Sequence, residues 1–359
     1  MLLEGKMKVL YFGPITPKGK ASIGGYEAAN RKNIEALVKR GVEVVEFPNP
    51  VINKRWGKLG KLAYAKLFLL PLGLWKYRNQ KDVILHTTPL YGNLLLPSLF
   101  TVRIAKYLGI RVLVDVRAGS LIHYYQTKGT GWKKQIRSLL MLADMITVEG
   151  SSYIHQIKTI IGIDKPTYYF PNIADCTGLT AIDKPKDKIN IFYFGRLTKT
   201  KGIDLILEVV KKLDERFKLY VAGAFGADCS RGMLDDEKIE YLGFLNPMEL
   251  REVMKKMHFF IFPTRHVGEG QSNSLIEAMS AGLIPIVSNQ GFNAEVVADC
   301  GSVLPQGSAA DEYVKAILKW VGGDMQKAAC ACQRHIMECH NVDVEIPKLI
   351  TLYKKMLCR

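Results

Sequence analysis

The feature that most constrains the fold is an alternation of short apolar segments with longer helical stretches, and this alternation occurs twice along the chain. The segments are rich in β-branched and aromatic residues and read KVLYFG (8–13), VEVVEFP (42–48), DVILHTT (82–88), RVLVDVR (111–117) and DMITVEG (144–150), then INIFYFGRL (189–197), FKLYVAGAF (217–225), IEYLGFL (239–245), FFIFPT (259–264) and IPIVSN (284–289). Most are apolar throughout rather than at every second position, which is typical of parallel strands covered on both faces. The pattern therefore predicts an α/β protein.

The domain organisation follows from the repetition of this pattern. A chain of 359 residues is long enough for two domains. We predict two Rossmann-like, doubly wound parallel-sheet domains that face each other across a cleft. The N-terminal domain is expected at residues 1–182 and the C-terminal domain at 183–345, with the polar run DKPKDK at their junction. Residues 346–359 are expected to form a helix that crosses back to the N-terminal domain.

The composition is that of an ordinary globular protein, with 48% hydrophobic and 23% charged residues, which excludes a disordered or fibrous chain. The seven cysteines include no CxxC pair, so neither a zinc site nor a disulfide framework is indicated. Glu4 stands where a signal peptide needs positive charge, and no segment is long enough to span a membrane. We therefore expect a cytoplasmic protein that is soluble or peripheral to a membrane.

The positive charge of the chain is unevenly distributed. The formal net charge is +16, of which residues 1–182 carry +15. This asymmetry indicates an anionic partner for the first half, such as nucleic acid, a phospholipid surface or a phosphorylated substrate. Because the sequence contains no helix-turn-helix, zinc knuckle or RNP-like motif, we expect no nucleic-acid partner.

Two loops at predicted strand ends are candidate anion sites, because ligands of open α/β sheets bind beyond the carboxyl ends of the strands. Gly24 and Gly25 stand directly before a helix, where they form either a phosphate-binding loop or a flexible turn. Arg196 and Lys201 flank the loop FGRLTKTKGID, where they either bind a diphosphate at a helix N-terminus or are solvated surface cations.

A third loop combines carboxylates with glycines. Glu269 stands between two glycines, and Glu277 follows eight residues later within a predicted helix. A capping box that begins at Ser274 would account for Glu277 but not for Glu269. The glycines would let backbone N–H groups approach a ligand whose hydroxyls the carboxylate accepts.

The spacing Glu269-x(7)-Glu277 within GEGQSNSLIEAMSAGLIPIVSN, preceded by YFGRLTKTKGID, resembles the retaining glycosyltransferases of family 4, which have the GT-B fold. The resemblance covers nearly the whole chain and is more specific in the C-terminal half. It implies that Arg196 and Lys201 hold the diphosphate of a nucleotide-sugar donor. It also implies that Gly24 and Gly25 belong to the glycine loop that closes over the phosphates.

The resemblance assigns the carboxylates as well. Glu277 would accept the ribose hydroxyls, and Glu269 would bind the donor sugar. The remaining donor-binding residues are those that follow Glu269, namely Gly270, Gln271, Ser272 and Asn273. The segment FPNIAD (170–175) resembles the PN-containing turn that leads into the linker of the family.

One position departs from the family. Many members have a histidine at the end of the strand that here reads VLVDVR, and this chain has Arg117 there, two residues after Asp115. Arg117 does not act as a base, since the pKa of a guanidinium exceeds about 12. It would stabilise the departing phosphate or bind an anionic acceptor. Which of Arg117, His86 and His123 contacts the transferred sugar stays open.

Neither a metal nor another cofactor is expected, by the same resemblance. The nearest acidic run is Asp235, Asp236 and Glu237, which we expect in a solvated turn. Arg196, Lys201 and helix N–H groups would instead neutralise the leaving diphosphate.

Two windows without acidic residues suggest a membrane partner. They lie between Glu46 and Asp82 and between Asp115 and Asp144, and they combine cations with tryptophan and tyrosine. This composition is typical of an interfacial helix on an anionic membrane, although core packing also accounts for the leucines of the first window.

We conclude from the sequence that the chain is expected to be a retaining hexosyltransferase. It would move a sugar from a nucleotide-sugar, with UDP favoured, to a hydroxyl of a lipid-linked or polysaccharide acceptor in cell-surface glycan or lipopolysaccharide assembly. The implied mechanism is front-face displacement at the inner face of the cell membrane. The alternatives are a UDP-sugar 2-epimerase of GT-B fold and a non-catalytic membrane- or polysaccharide-binding protein with a decayed donor site.

Overall fold

The chain divides into two compact units, Met1–Pro171 with Asp343–Arg359, and Asn172–Val342. The structure is a computed structural model, and it describes residues 7–19, 24–49, 58–176, 184–185 and 187–358. The domain boundary predicted after Ile182 lies outside the described residues, as does the stretch 50–57 of the first acid-free window. The domain limits therefore stay a prediction.

The first unit is built on a parallel sheet of six described strands in the order β2-β1-β3-β4-β5-β6. The strands are β1 (Lys8–Gly13), β2 (Glu43–Pro48), β3 (Val83–Thr87), β4 (Arg111–Val116), β5 (Met145–Val148) and β6 (Thr167–Tyr169). Every residue of β3 and β5 is buried, as expected of strands covered on both faces.

Helices connect these strands. They are α1 (Gly25–Lys39), α2 (Lys58–Leu69), α3 (Leu95–Tyr107), α4 (Leu121–Thr127), α5 (Thr130–Leu142) and α6 (Ser152–Gln156). Helix α2 continues into a 3₁₀ helix, Leu70–Tyr77, and the remaining short segments are a 3₁₀ turn (Gly92–Leu94) and a π turn (Ile157–Ile161). Helix α5 buries Ile136, Leu139 and Leu140, which have helical spacing.

The second unit repeats the architecture with the strand order β12-β11-β10-β7-β8-β9. Its described strands are β7 (Ile189–Phe194), β8 (Phe217–Ala222), β9 (Ile239–Tyr241), β10 (Phe259–Phe262), β11 (Ile284–Ser288) and β12 (Ser302–Leu304). The helices are α7 (Ile203–Lys212), α8 (Pro247–Met254), α9 (Asn273–Ser280), α10 (Asn293–Val297), α11 (Ala310–Val321) and α12 (Met325–Cys339), with 3₁₀ turns at Lys199–Lys201 and Arg231–Leu234. All strand pairs are parallel.

The last helix, α13 (Val342–Leu357), is counted with the first unit from Asp343 onwards. Within the ranges that the structure describes, no helix is both long enough and apolar enough to cross a membrane.

The predicted α/β class and the parallel sheets are confirmed, and each of the ten predicted segments contains a strand. The start of α9 differs from the prediction, because the N-cap is Ser272 rather than Ser274. The Ser272 side chain accepts the backbone N–H of Leu275, so the capping box predicted from Ser274 to Glu277 is wrong.

Candidate functional site

In the second unit the strand order reverses between β7 and β10, which are neighbours in the sheet although the strands β8 and β9 lie between them in the sequence. The connection after β7 leads towards β8 on one side, and that after β10 leads towards β11 on the other. Such a reversal opens a crevice at the carboxyl ends of the two strands. The predicted loops 194–204 and 263–277 follow these two strands.

The loop after β7 is a tight strand-to-helix turn. Its 3₁₀ turn, Lys199–Lys201, is capped by Thr198, whose hydroxyl accepts the backbone N–H of Lys201 at 3.2 Å. Gly202 follows with a φ of +84°, and a Cβ at this position would lie 2.3 Å from the carbonyl oxygen of Pro263. The turn therefore requires glycine, and it fits closely against the loop that follows β10.

The structure brings Lys201 and Glu269 together. The Lys201 Nζ lies 2.5 Å from Glu269 Oε2, and the Thr264 hydroxyl donates to the same oxygen at 3.0 Å. The carboxylate side chain is 9% exposed and the ammonium side chain 24% exposed. The crevice thus contains a partly buried ion pair, although 68 residues separate its members in the sequence.

Arg265 fixes the relative position of the two loops, and the sequence analysis missed it. Its backbone N–H donates to the Thr200 carbonyl at 2.8 Å, and its guanidinium reaches the Lys199 carbonyl and Asp204, each at 2.5 Å. The only signal for this role is that Arg265 follows a strand end, which many arginines do.

Arg196 is exposed in the same loop, and the Tyr193 hydroxyl donates to its carbonyl oxygen at 2.7 Å. His266 is a further residue that the sequence analysis missed. Burial lowers the pKa of His266, and the positive charges of Lys201 and Arg196 lower it further while Glu269 opposes them. The site is therefore rich in cations around one carboxylate.

The residues that follow Glu269 form the approach to α9. Gln271 is buried, and its side-chain Oε1 accepts the backbone N–H of Asn172 at 2.8 Å, while its carbonyl accepts from the Asn172 amide at the same distance. The side chain of Gln271 thus has a structural partner, and the role of Gln271 in donor binding stays a prediction. The segment FPNIAD (170–175), predicted as a PN-containing turn, thus contacts this loop through Asn172.

Three more predicted donor-binding residues lie along this path. Gly270 leads into Ser272, the buried N-cap, and Asn273 is the first residue of α9. Glu277 is half-buried one helical turn further on. Gly291, with a φ of +59°, lets its backbone approach Glu269, because a Cβ there would lie 2.3 Å from the Glu269 carbonyl oxygen. The glutamate loop is therefore held by backbone packing as well as by its side chain.

The other predicted site residues belong to the first unit. Gly24 is the N-cap of α1 in an extended conformation, and Gly25 is its first residue; both are exposed. The residues 20–23 that precede them lie outside the described part of the chain. The exposed N-terminus of α1 is suited to an anion, and a role in phosphate binding stays a prediction.

Arg117 lies at the end of β4 in a buried network. Its Nε donates to Asp115 Oδ2 at 2.6 Å, and the Thr147 hydroxyl donates to the other oxygen at 2.8 Å. Burial would raise the pKa of the Asp115 carboxyl, but the charge of Arg117 and the contact with His86 outweigh it and hold this pKa below its ordinary value. Asp115 and Arg117 therefore form a stable buried ion pair.

The two histidine candidates differ from Arg117 in their surroundings. His86 is fully buried, and its ring lies 3.3 Å from Asp115 Oδ2 through Nε2 and 2.6 Å from the Tyr353 hydroxyl through Nδ1. Burial lowers the pKa of His86, so the neutral ring serves this internal network rather than a ligand. His123 is exposed on α4. Tyr353 of α13 was not anticipated from the sequence.

The acidic run lies where the sequence predicts. Asp235 and Glu237 are exposed in the turn after Arg231–Leu234, and the Asp236 side chain accepts the backbone N–H of Lys238 at 2.9 Å. No cluster of three or more histidine, cysteine or acidic side chains suited to a metal ion occurs among residues that the structure describes. The expectation of a metal-independent reaction stays a prediction.

A comparison with protein families matches residues 180–331 to the family described as glycosyl transferases group 1. A protein from Klebsiella pneumoniae, described as an uncharacterized 41.2 kDa protein in the cps region, is 26% identical over 251 residues, which are 66% of this chain and 67% of that protein. A GDP-mannose:cellobiosyl-diphosphopolyprenol α-mannosyltransferase from Xanthomonas oryzae pv. oryzae is 33% identical over 111 residues, only 28% of either chain.

Solved structures share the fold of the whole chain. Sucrose-phosphate synthase from Thermosynechococcus elongatus matches with a TM-score of 0.73 at 15% identity, over 98% of this chain and 99% of that one. Anabaena HepE in complex with UDP and glucose matches with a TM-score of 0.67 at 13% identity, over 97% and 100%. The lipopolysaccharide outer core galactosyltransferase WaaB gives 0.66 at 17% identity, over 97% and 99%. The chain therefore has the GT-B fold, and its residues 180–331 are similar to the group 1 glycosyltransferases.

Proposed function

We propose that this protein transfers a sugar from a nucleotide-sugar donor to a hydroxyl acceptor with retention of anomeric configuration. The observation that carries the proposal is the ion pair of Lys201 and Glu269 in the crevice between β7 and β10. A crevice cation next to a carboxylate suits a ligand that has a diphosphate beside a polyhydroxylated ring.

The donor contacts follow from this placement. Lys201 and Arg196 would neutralise the diphosphate, and the backbone N–H groups at the start of α9 would add the positive end of the helix dipole. Glu269 would accept hydroxyls of the sugar, and Glu277 those of the ribose. When the donor binds, Lys201 would exchange part of its contact with Glu269 for the phosphate oxygens.

The reaction we propose is a front-face displacement. The bond between the anomeric carbon and the phosphate oxygen breaks, and the acceptor oxygen bonds to the same face of that carbon. The acceptor proton moves to the released phosphate oxygen, so no protein base is required. The cations Lys201 and Arg196 supply the charge stabilisation, and for this reason we propose a reaction that needs neither a metal nor another cofactor.

The substrates are proposed from relatives. UDP is the favoured nucleotide, supported by the HepE complex with UDP and glucose, and GDP is second, supported by the GDP-mannose-dependent relative. That relative's name gives a diphosphopolyprenol acceptor, and WaaB is named for the lipopolysaccharide outer core. We therefore propose a lipid-linked or polysaccharide acceptor, handled by an enzyme that is peripheral at the inner face of the cell membrane. Arg117 would bind an anionic group of that acceptor.

A donor screen tests the proposal. Thermal denaturation is measured with UDP-, GDP-, ADP- and TDP-sugars, and we expect one nucleotide class to raise the midpoint, since a ligand that binds only the folded state stabilises it. Absence of a shift with every nucleotide-sugar would favour the non-catalytic alternative.

The reaction itself is tested with the donor that binds. Incubation without acceptor distinguishes the epimerase, which releases UDP together with an altered sugar. With a polyprenyl-diphosphate glycan acceptor, nuclear magnetic resonance of the product gives its anomeric configuration, and inversion would contradict the mechanism. The rate is expected to be unchanged by EDTA, and a rate restored only by a divalent ion would overturn metal independence.

A further inference from the structure

In the 3₁₀ helix that follows α2, one line of side chains is buried and another is exposed to solvent. A 3₁₀ helix has three residues per turn, so every third side chain lies on one line. Pro71, Leu74 and Tyr77 lie on one line and are buried. Leu72 and Trp75 lie on another line, which Leu69 at the end of α2 continues, and these three residues are 63%, 55% and 61% exposed. We call these last three residues the apolar stripe.

Core packing does not account for the apolar stripe. The buried line of the same helix already supplies the contacts with the first unit, and Leu74 is completely excluded from water. Three large side chains in a row that stay in water contribute nothing to the core. Such a contiguous apolar surface on a folded chain marks an interaction site.

Neighbouring helices extend the apolar stripe. Leu62 of α2 is 55% exposed and lies two turns before Leu69, and the exposed Lys66 stands between them. The Phe68 ring contacts the Phe100 ring of α3, with centroids 5.5 Å apart. Further exposed side chains at helical spacing on α3 are Leu96, Phe100, Arg103 and Tyr107. The surface is thus formed by two adjacent helices and the 3₁₀ helix.

The part of the sequence that forms this surface carries almost only positive charge. From residue 47 to residue 143 the chain has 16 lysines and arginines and two acidic residues, Asp82 and Asp115. Asp115 is buried against Arg117, so Asp82 alone adds negative charge to the surface of this region. The Arg78 guanidinium lies over the Trp75 ring, 5.1 Å from its centroid, which places a cation directly at the edge of the apolar stripe.

We propose that the apolar stripe inserts into the headgroup region of an anionic bilayer while Lys66, Lys76 and Arg78 contact lipid phosphates. Leucine and tryptophan at the interface, surrounded by cations, are what such a contact needs. A nucleic acid would use the cations but not the exposed leucines. This inference rests on the membrane association proposed above and names the surface that produces it.

Vesicle binding tests the proposal without any nucleotide-sugar, so its outcome is independent of the transferase activity. The protein is sedimented with vesicles of phosphatidylglycerol and phosphatidylcholine, and with phosphatidylcholine alone. We expect binding to the anionic vesicles only, weakened as salt is raised. Equal binding to both vesicle types, or no binding to either at low salt, would overturn the proposal.

Paired variants locate the contact. Leu72→Ser combined with Trp75→Ser is expected to weaken vesicle binding at least about tenfold, because each large apolar side chain contributes to insertion. The matched control is Phe244→Ser combined with Met248→Ser, which removes two side chains of the second unit that are 66% and 80% exposed. Circular dichroism verifies that both proteins are folded. Equal loss in the two would contradict the assignment.

The cations are tested in the same way. Lys76→Glu is expected to weaken vesicle binding about tenfold or more. Each cation near an anionic surface raises the affinity about fivefold, and the new glutamate is also repelled by the anionic lipids. Lys256→Glu changes a lysine of the second unit that is also exposed, and it is expected to have a smaller effect. Equal effects of the two reversals would mean that net charge, rather than this surface, directs binding.

Insertion has its own optical signature. Trp75 emission is expected to shift to shorter wavelength on anionic vesicles and to be quenched by brominated acyl chains, a signal that Trp75→Phe removes. If the apolar stripe instead joins two copies of the chain, sedimentation velocity will show a dimer that Leu72→Ser with Trp75→Ser converts to monomer, without brominated-lipid quenching. That result would overturn the proposal.

Discussion

The ammonium of Lys201 is held by a carboxylate that is nearly excluded from water. Such a partner fixes the position of the cation before any ligand arrives, so the side chain need not be ordered on binding. The same partner makes the pair sensitive to change, because removal of one charge leaves the other partly buried and uncompensated. Activity and stability are therefore expected to depend on the same two residues.

We predict that Lys201→Ala lowers kcat/KM at least about a hundredfold, because it removes a preorganised cation from the leaving diphosphate. The free energy of unfolding is expected to fall by about 1–3 kcal/mol, since Glu269 loses its partner. Lys199→Ala, in the same turn, is the control and is expected to retain activity. Initial rates and urea unfolding measure the two effects, and normal turnover of Lys201→Ala would refute the role assigned to it.

His340 gives a pH-dependent prediction. Burial lowers its pKa to about 4, although the Asn172 carbonyl, 2.9 Å from Nδ1, opposes this shift. Between about pH 6.5 and 4 the unfolded chain binds the proton more readily than the folded chain does. The contribution of neutral His340 to the free energy of unfolding is therefore complete above this range and is lost as the pH falls through it. Because a single proton is taken up, the free energy of unfolding falls by about 3 kcal/mol across this range.

Urea unfolding at a series of pH values measures this dependence. His340→Asn keeps a donor for the Asn172 carbonyl but does not titrate, so its stability is expected to fall less steeply between pH 6.5 and 4. His155→Asn, at an exposed histidine, is expected to leave the slope of the wild type unchanged. Parallel slopes for all three proteins would show that His340 does not titrate in this range.

At the scale of secondary-structure elements, strands within longer apolar segments were predictable, including the three-residue edge strand β9 within IEYLGFL, whereas the edge strands β6 and β12 were not. β6 and β12 have three residues each, TYY and SVL, which is too short for a periodic signal. The start of α9 was misplaced because Ser272 and Ser274 are both capable N-caps, and the chain path through the Gln271–Asn172 contact decides between them.

The candidate site was predictable only where its residues follow predicted strands. Lys201 and Glu269 follow strand ends, and parallel strands bring their carboxyl ends to one edge of a sheet. The contact between His86 and Tyr353 joins residues 267 positions apart, and no local pattern marks it. Arg265 was missed because its partners are backbone carbonyls, which every sequence provides.

The turn between β7 and α7 gives a prediction at this scale. Gly202→Ala is expected to lower the free energy of unfolding by at least about 2 kcal/mol, because φ is +84° and the added Cβ meets the Pro263 carbonyl. Activity is expected to fall as well, since the turn positions Lys201. Gly232→Ala, in a 3₁₀ turn with open space around the Cβ position, is expected to change stability by less than about 0.5 kcal/mol. Equal urea midpoints for the two variants would contradict the strain argument.

At the scale of the whole molecule, charge distinguishes the two halves of the chain. Residues 1–182 carry +15 of the net +16. Such a field attracts anionic partners, but it also opposes folding, because like charges are closer together in the compact state. This half has 26 lysines and arginines against 11 acidic residues, so its acidic residues are too few to pair with most of its cations.

Salt is therefore expected to stabilise the first half of the chain. From about 0.01 to 0.15 M potassium chloride the screening length falls from about 30 to 8 Å, which weakens repulsion between exposed charges. Thermal unfolding followed by tryptophan fluorescence in Trp320→Phe reports on residues 1–182 alone, since the other three tryptophans are Trp56, Trp75 and Trp132. We expect the thermal-unfolding midpoint to rise by about 2–4 °C for each kcal/mol of charge repulsion that the salt removes. Sucrose at equal osmolality controls for changes unrelated to charge, and a midpoint that falls steadily with salt would mean that attractive ion pairs outweigh the repulsion.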